Sequence, residues 1–184
     1  RSFVFTQLHS AGILGIDSYN VLVEADISSN FPSFDIVGLP DMAVKESRDR
    51  VRSAIKNSGF SFPNAKITVN LAPADVKKIG SMYDLPSTLA ILIASGQVQP
   101  SIDISQCAFI GELSLDGHVR GVKGMLSMAI GALQHNIKRF FVPKENAYEA
   151  SVVDGIEIYP VESVKQLVGF LCGNIPIKPM EKPN

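Results

Sequence analysis

Between Tyr19 and Ile27 every second residue is apolar: Tyr19, Val21, Val23, Ala25 and Ile27 alternate with neighbours that are polar except for Leu22. A period of two fits a half-buried β-strand and no helix, so an all-helical fold is excluded at once. Ile67, Val69 and Leu71 repeat the pattern. Between these runs, Phe34 to Val37 reads as a further extended segment ending on Gly38-Leu39-Pro40. Asp41 then fits a helix N-cap, and the helix is expected to run to Lys56, where Asn57-Ser58-Gly59 stops it. Val44, Val51 and Ile55 give that helix one apolar stripe.

The rest of the chain keeps alternating. A polar loop from Asp75 to Tyr83 leads to a nearly all-apolar helix, Leu89 to Ala94. Asp116-Gly117 separates two strand-like runs, Phe109 to Leu115 and Val119 to Val122. Asp-Gly supplies the positive φ values of a type I′ hairpin turn. A helix near Leu126 to His135, a strand at Arg139 to Val142, a short helix after Pro143, a strand at Ile156 to Tyr159 and a helix at Ser163 to Leu171 follow. Gly12-Ile13-Leu14-Gly15 reads as a turn, since it lacks the spacing of a dinucleotide fingerprint. Strands and helices in alternation predict a mixed α/β layer structure. From Asn174 onward three prolines in eleven residues favour an extended linker or a frayed tail.

A chain of 184 residues suits one sizeable domain with a real core. A net charge of −1 exerts no global pull on nucleic acid or membrane, so any such contact needs a local patch. Cys107 and Cys172 stand alone without CxxC spacing and read as reduced thiols. No run reaches the roughly 18 apolar residues a bilayer span needs, and no signal pattern opens the chain. A cytoplasmic location with no membrane partner is the expectation.

G-x-x-x-x-G-K-[ST] is absent, so no P-loop nucleotide site is expected here. His9, His118 and His135 are scattered without companions at ligand spacing, so no metal site is expected either. Two features carry chemistry. Lys45, Arg48, Arg52 and Lys56 are spaced 3, 4 and 4 apart, which aligns four cations on one helical face. Such a row can track a phosphate backbone, making these residues candidate DNA contacts. The plainer alternative is a solvated helix face, with Asp49 pairing Lys45 and Arg52. The second feature is Asp84-Leu85-Pro86-Ser87, where Asp84 caps the apolar helix and Pro86 fits its first turn. Ser87 near a helix N-terminus could act as a nucleophile if amides there held an oxyanion and a base stood near. Lys77, Lys78 and Lys123 are the candidate bases. The plainer alternative is a serine bonding locally.

Ile36-Val37-Gly38-Leu39-Pro40-Asp41, Val44 to Arg52, Asn57-Ser58-Gly59-Phe60, Ile67 to Asp75, Asp84-Leu85-Pro86 and Gly111 to Gly117 together resemble the ComM/YifB family, the magnesium-chelatase-like AAA+ proteins. The resemblance spans roughly residues 8 to 170. It implies an α/β (α+β) domain of the ribosomal protein S5 domain 2 type, as in the proteolytic domain of Lon. It implies a Lon-protease-like domain over residues 1–172 and a Pro-rich linker over 173–184 toward an AAA+ module outside this sequence. ATP and Mg would bind in that module, with no cofactor in this chain. The partners implied are the AAA+ module, further copies in a homo-hexamer, and DNA handled in branch migration during natural transformation. Lon's serine aligns with Ser87, and its lysine aligns with Leu126. Lys123, three residues earlier, is the candidate substitute base. The resemblance therefore implies a non-catalytic accessory domain. The alternatives are a serine peptidase using Ser87 with a nearby lysine, and a pure oligomerisation module.

Overall fold

The computed structural model describes residues 3–184. Nine strands and six helices alternate along them: β1 (Phe3–Leu14), β2 (Asp17–Ser28), β3 (Ser33–Val37), α1 (Met42–Lys45), α2 (Ser47–Asn57), β4 (Lys66–Ala72), α3 (Asp84–Ala94), β5 (Cys107–Phe109), β6 (Glu112–Leu113), β7 (Val119–Arg120), α4 (Met125–Gln134), β8 (Arg139–Pro143), α5 (Lys144–Ala150), β9 (Glu157–Val161) and α6 (Val164–Leu171). Seven strands form one mixed sheet in the order β3-β4-β2-β1-β5-β8-β9, and β6 and β7 make a separate hairpin. This is the α/β architecture that the alternating pattern predicts.

The sheet has two halves with different sequence signatures. In β2 and β4, Val21, Val23, Ala25, Ile67, Val69 and Leu71 are completely buried against a core that includes residues of α2 and α3. The opposite face of these strands is polar: the Glu24 carboxylate accepts from Gln7 at 2.9 Å and from Asn70 at 2.7 Å. One dry and one wet face produce the clean alternation. Strands β5, β8 and β9 pair in parallel and are buried on both faces, so Phe140-Phe141-Val142 reads as a continuous apolar run. On one of those faces Phe109, Phe141 and Tyr159 stack across neighbouring strands, with ring centroids 4.9 and 4.8 Å apart. On the other, α4 and α5 close a second core around Ile110, Met128, Phe140 and Ile158.

Several local expectations are corrected. Gly12 to Leu14 belong to β1, a twelve-residue strand, and only Gly15 and Ile16 turn. The inward face of β1 carries Thr6 and Ser10 beside Leu8, all buried, which masks its period; Ser10 Oγ donates to the Phe109 carbonyl at 2.7 Å. Asp41 does cap a helix, accepting from the Val44 N–H at 2.8 Å, but that helix breaks at Glu46 into α1 and α2. The hairpin is present without a type I′ turn. Only Gly117 of the Asp-Gly pair has positive φ, in a Leu115-Asp116-Gly117 loop closed by the Ser114 N–H on the His118 carbonyl at 2.9 Å. The segment from Asp75 to Tyr83 is not simply polar, since Lys78 and Tyr83 are buried. The Lys78 ammonium donates to the Gly38 carbonyl at 2.9 Å and to the Pro73 carbonyl, holding the bend that follows β3. At Gly38, with φ of 106°, a Cβ would stand 2.2 Å from the Leu71 carbonyl oxygen, so only glycine fits. Residues 174–184 run without helix or strand, yet Met180 N–H donates to the Ile158 carbonyl at 2.8 Å and Ile177 is buried.

The break between α1 and α2 has a partner. Arg50 Nη2 donates to the Ala43 carbonyl at 3.1 Å, and its Nε and Nη2 grip the Asp84 carboxylate at 2.6 and 3.1 Å. Asp84 is fully buried while the Arg50 side chain keeps 20% exposure. Removing one partner of such a pair strands a buried charge. Arg50→Ala is therefore expected to lower unfolding stability in urea by about 3 kcal/mol, at the low end of the range because Arg50 is partly solvated. Arg48→Ala, on the exposed face of the same helix, is expected to change it by less than about 0.5 kcal/mol.

Candidate functional site

The N-terminus of α3 is where the sequence places a nucleophile, and the structure shows how its polar groups are occupied. Asp84 is the first residue of α3 and does not cap it; Tyr83 holds the cap position without a side-chain bond. The Asp84 carboxylate turns instead to Arg50 and to the Leu113 N–H, 3.1 Å away on β6. Burial pushes this carboxyl above its ordinary value, and Arg50, Ser47 and the Leu113 N–H pull the other way. Arg50 donates to both carboxylate oxygens, a bidentate, charge-assisted contact. The Leu85 N–H donates to the Gly111 carbonyl at 3.0 Å, the Ser87 N–H to the Tyr83 carbonyl at 3.0 Å, and Pro86 has none. These amides are already bonded, which leaves them nothing to offer an oxyanion.

Ser87 itself is 1% exposed. Among the described residues no hydrogen bond joins it to a lysine. Lys78 is committed to two backbone carbonyls, and Lys77 is exposed. Lys123 is exposed and borders a shallow apolar pocket of about 300 Å³ with Ile13, Tyr19, Met82 and Tyr83. Ser87 does not line that pocket. Leu126 lies in the first turn of α4 and is 41% exposed. Its N–H donates to Glu149 Oε1 of α5 at 3.1 Å, so a carboxylate closes the helix end there. A serine and a lysine in working contact are not what this geometry assembles.

The cationic row is distributed over the helix break: Lys45 ends α1, while Arg48, Arg52 and Lys56 lie on α2. All four are exposed. Arg48 Nη1 sits 3.5 Å from the Phe34 carbonyl, and the Arg52 guanidinium lies 4.7 Å from the centre of the Phe62 ring. No ion pair among the described residues joins Asp49 to Lys45 or Arg52. Arg52 and Lys56 line a cleft of about 250 Å³ with Pro32, Ser33 and Phe62.

A family described as subunit ChlI of Mg-chelatase matches residues 23–146, from the middle of β2 into α5, which includes α2, α3 and the hairpin. The chain belongs to that family. Competence protein ComM of Haemophilus influenzae is 42% identical over 166 residues, covering 90% of this chain and 32% of that protein. YifB of Escherichia coli is 40% identical over the same length, with the same coverage. The chain thus spans about one third of the length of these relatives. A Lon protease of Mesomycoplasma hyopneumoniae is 30% identical over 128 residues, 66% of this chain and 14% of that protease. ComM, YifB and Lon are the three likenesses that the sequence motifs imply.

Sequence reasoning missed Arg50, and it offered Lys78 as a candidate base without seeing that it is buried and bonded to backbone carbonyls. Arg50 sits among the charges of Lys45 to Arg52, and only its position on the Val51 side of the helix separates it from them. Lys78 follows Lys77 in a loop, with no periodicity to mark it as buried. The chain is expected to show no casein hydrolysis; Ser87→Ala is expected to leave that result unchanged and to shift the unfolding free energy in urea by no more than about 1 kcal/mol. Hydrolysis abolished by Ser87→Ala would reinstate the serine–lysine reading.

Proposed function

We propose that this chain is a non-catalytic accessory domain of a longer AAA+ ATPase of the ComM type, in which it supports ring assembly and the handling of DNA in branch migration. The single observation that carries the accessory role is the α3 terminus: a buried serine beside amides that are already bonded, with no lysine hydrogen-bonded to it among the described residues. Kinship with ComM supports the attachment to an ATPase, because relatives extend well beyond the part this chain matches. ATP and Mg would then belong to that further module, with residues 173–184 as the linker toward it. In a homo-hexamer the domain would be carried by each copy, in the cytoplasm.

The DNA role rests on the exposed row Lys45, Arg48, Arg52 and Lys56, free of the Asp49 pairing that would neutralise it. Phosphate contacts release counterions, so affinity falls with salt in proportion to their number. In the full-length protein, Lys45→Ala, Arg48→Ala and Arg52→Ala together are expected to weaken DNA affinity and flatten its salt dependence by about 0.9 in log–log slope per lost duplex contact, in fluorescence anisotropy. Unchanged affinity and slope would remove DNA handling from this helix. It would leave ring assembly, read by sedimentation of the same variant, as the domain's role.

A further inference from the structure

The cleft beside α2 combines features that a plain cationic face does not need. Its walls are Arg52 and Lys56 on one side and Pro32, Ser33 and Phe62 on the other. Arg52 is stacked over Phe62, which presents the guanidinium as a flat, charged plate rather than a loose side chain. Phe62 is in turn backed by Phe34, with ring centroids 5.5 Å apart, so the plate rests on the core. Phe31, next in the chain to Pro32, leaves its ring 92% exposed on the turn between β2 and β3. Lys66 is exposed too, and its Cα pairs with that of Ser33 on the cleft wall. Asp35, two residues on from Ser33, is the exposed acid nearest in sequence on β3, and it pairs with Thr68.

Covering an exposed phenylalanine ring with an apolar face is favourable in proportion to the area removed from water, and a flat ligand face covers a ring best by stacking. A cationic plate, an exposed ring and flanking lysines suit a ligand that carries planar apolar faces on a polyanionic backbone. Unpaired nucleotides have both, whereas in a duplex the base faces are already stacked on each other. We propose that this cleft binds single-stranded nucleic acid, with one base stacking on Phe31, another on the Arg52 plate, and the intervening phosphates on Lys56 and Lys66. This deepens the DNA-handling reading above and rests on it, naming the strand form that the helix face engages.

The test uses the chain itself and fluorescence anisotropy with a labelled oligothymidylate and with a duplex of equal length. Phe31→Ala is expected to weaken single-strand binding about tenfold and leave duplex binding unchanged. Arg52→Lys, which keeps the charge and loses the plane, is expected to act in the same direction. Because Phe31 is exposed, its removal does not threaten the fold, and circular dichroism of the variant serves as the control. Equal losses on both strand forms, or none, would overturn the stacking site. Displacement by poly-glutamate as effective as by unlabelled oligothymidylate would also overturn it, leaving a generic polyanion surface. If the cation variants weaken binding while Phe31→Ala does not, the DNA role stands and the single-strand site falls. If the chain binds neither form, both fall together.

Discussion

Arg50 and Asp84 form the contact through which the separate parts of this fold reach one another. Arg50 lies on α2, and its guanidinium takes up the Ala43 carbonyl at the α1–α2 break. Asp84 opens α3 and accepts the Leu113 N–H from the hairpin. Four segments, drawn from three stretches distant in sequence, thereby meet at one ion pair with a buried carboxylate. A carboxylate in a dry interior is tolerable only with its donors in place, so the pair fixes the geometry of all four segments at once. The apolar core supplies adhesion, and the pair sets where the helix break, the α3 terminus and the hairpin stand.

This constraint bears on function. The same short segment that resembles Lon's nucleophile string is used here to build structure. Asp84 faces Arg50, Leu85 and Ser87 donate to backbone carbonyls, and Ser87 is packed out of reach of water. Beyond the hairpin, the Leu126 N–H at the start of α4 is taken by the Glu149 carboxylate. The polar groups at the start of α3 are thus spent on holding the fold together.

Much of this was legible from residue order. β2 and β4 announce themselves because one face is dry and the other wet, and Asp41 caps its helix as its side chain dictates. β1 is hidden because Thr6 and Ser10 are buried by packing and by a bond to Phe109, neither visible in a local window. The break at Glu46 is invisible too, since no proline or glycine marks it and its partner, Arg50, answers to a residue 34 positions away. Lys78 looks like a loop lysine until Gly38 and Pro73 carbonyls are brought around it. The Lon-like positions Ser87 and Leu126 could be read by alignment, but the burial of one and the capping of the other are tertiary facts.

A double-mutant cycle on Arg50→Ala and Asp84→Asn, followed by urea unfolding, measures the central contact directly. If the pair organises the fold as described, the two losses overlap and the coupling is about 2 kcal/mol or more. Additive losses, with a coupling within about 0.5 kcal/mol of zero, would mean that the four segments are held by packing alone and would contradict the account.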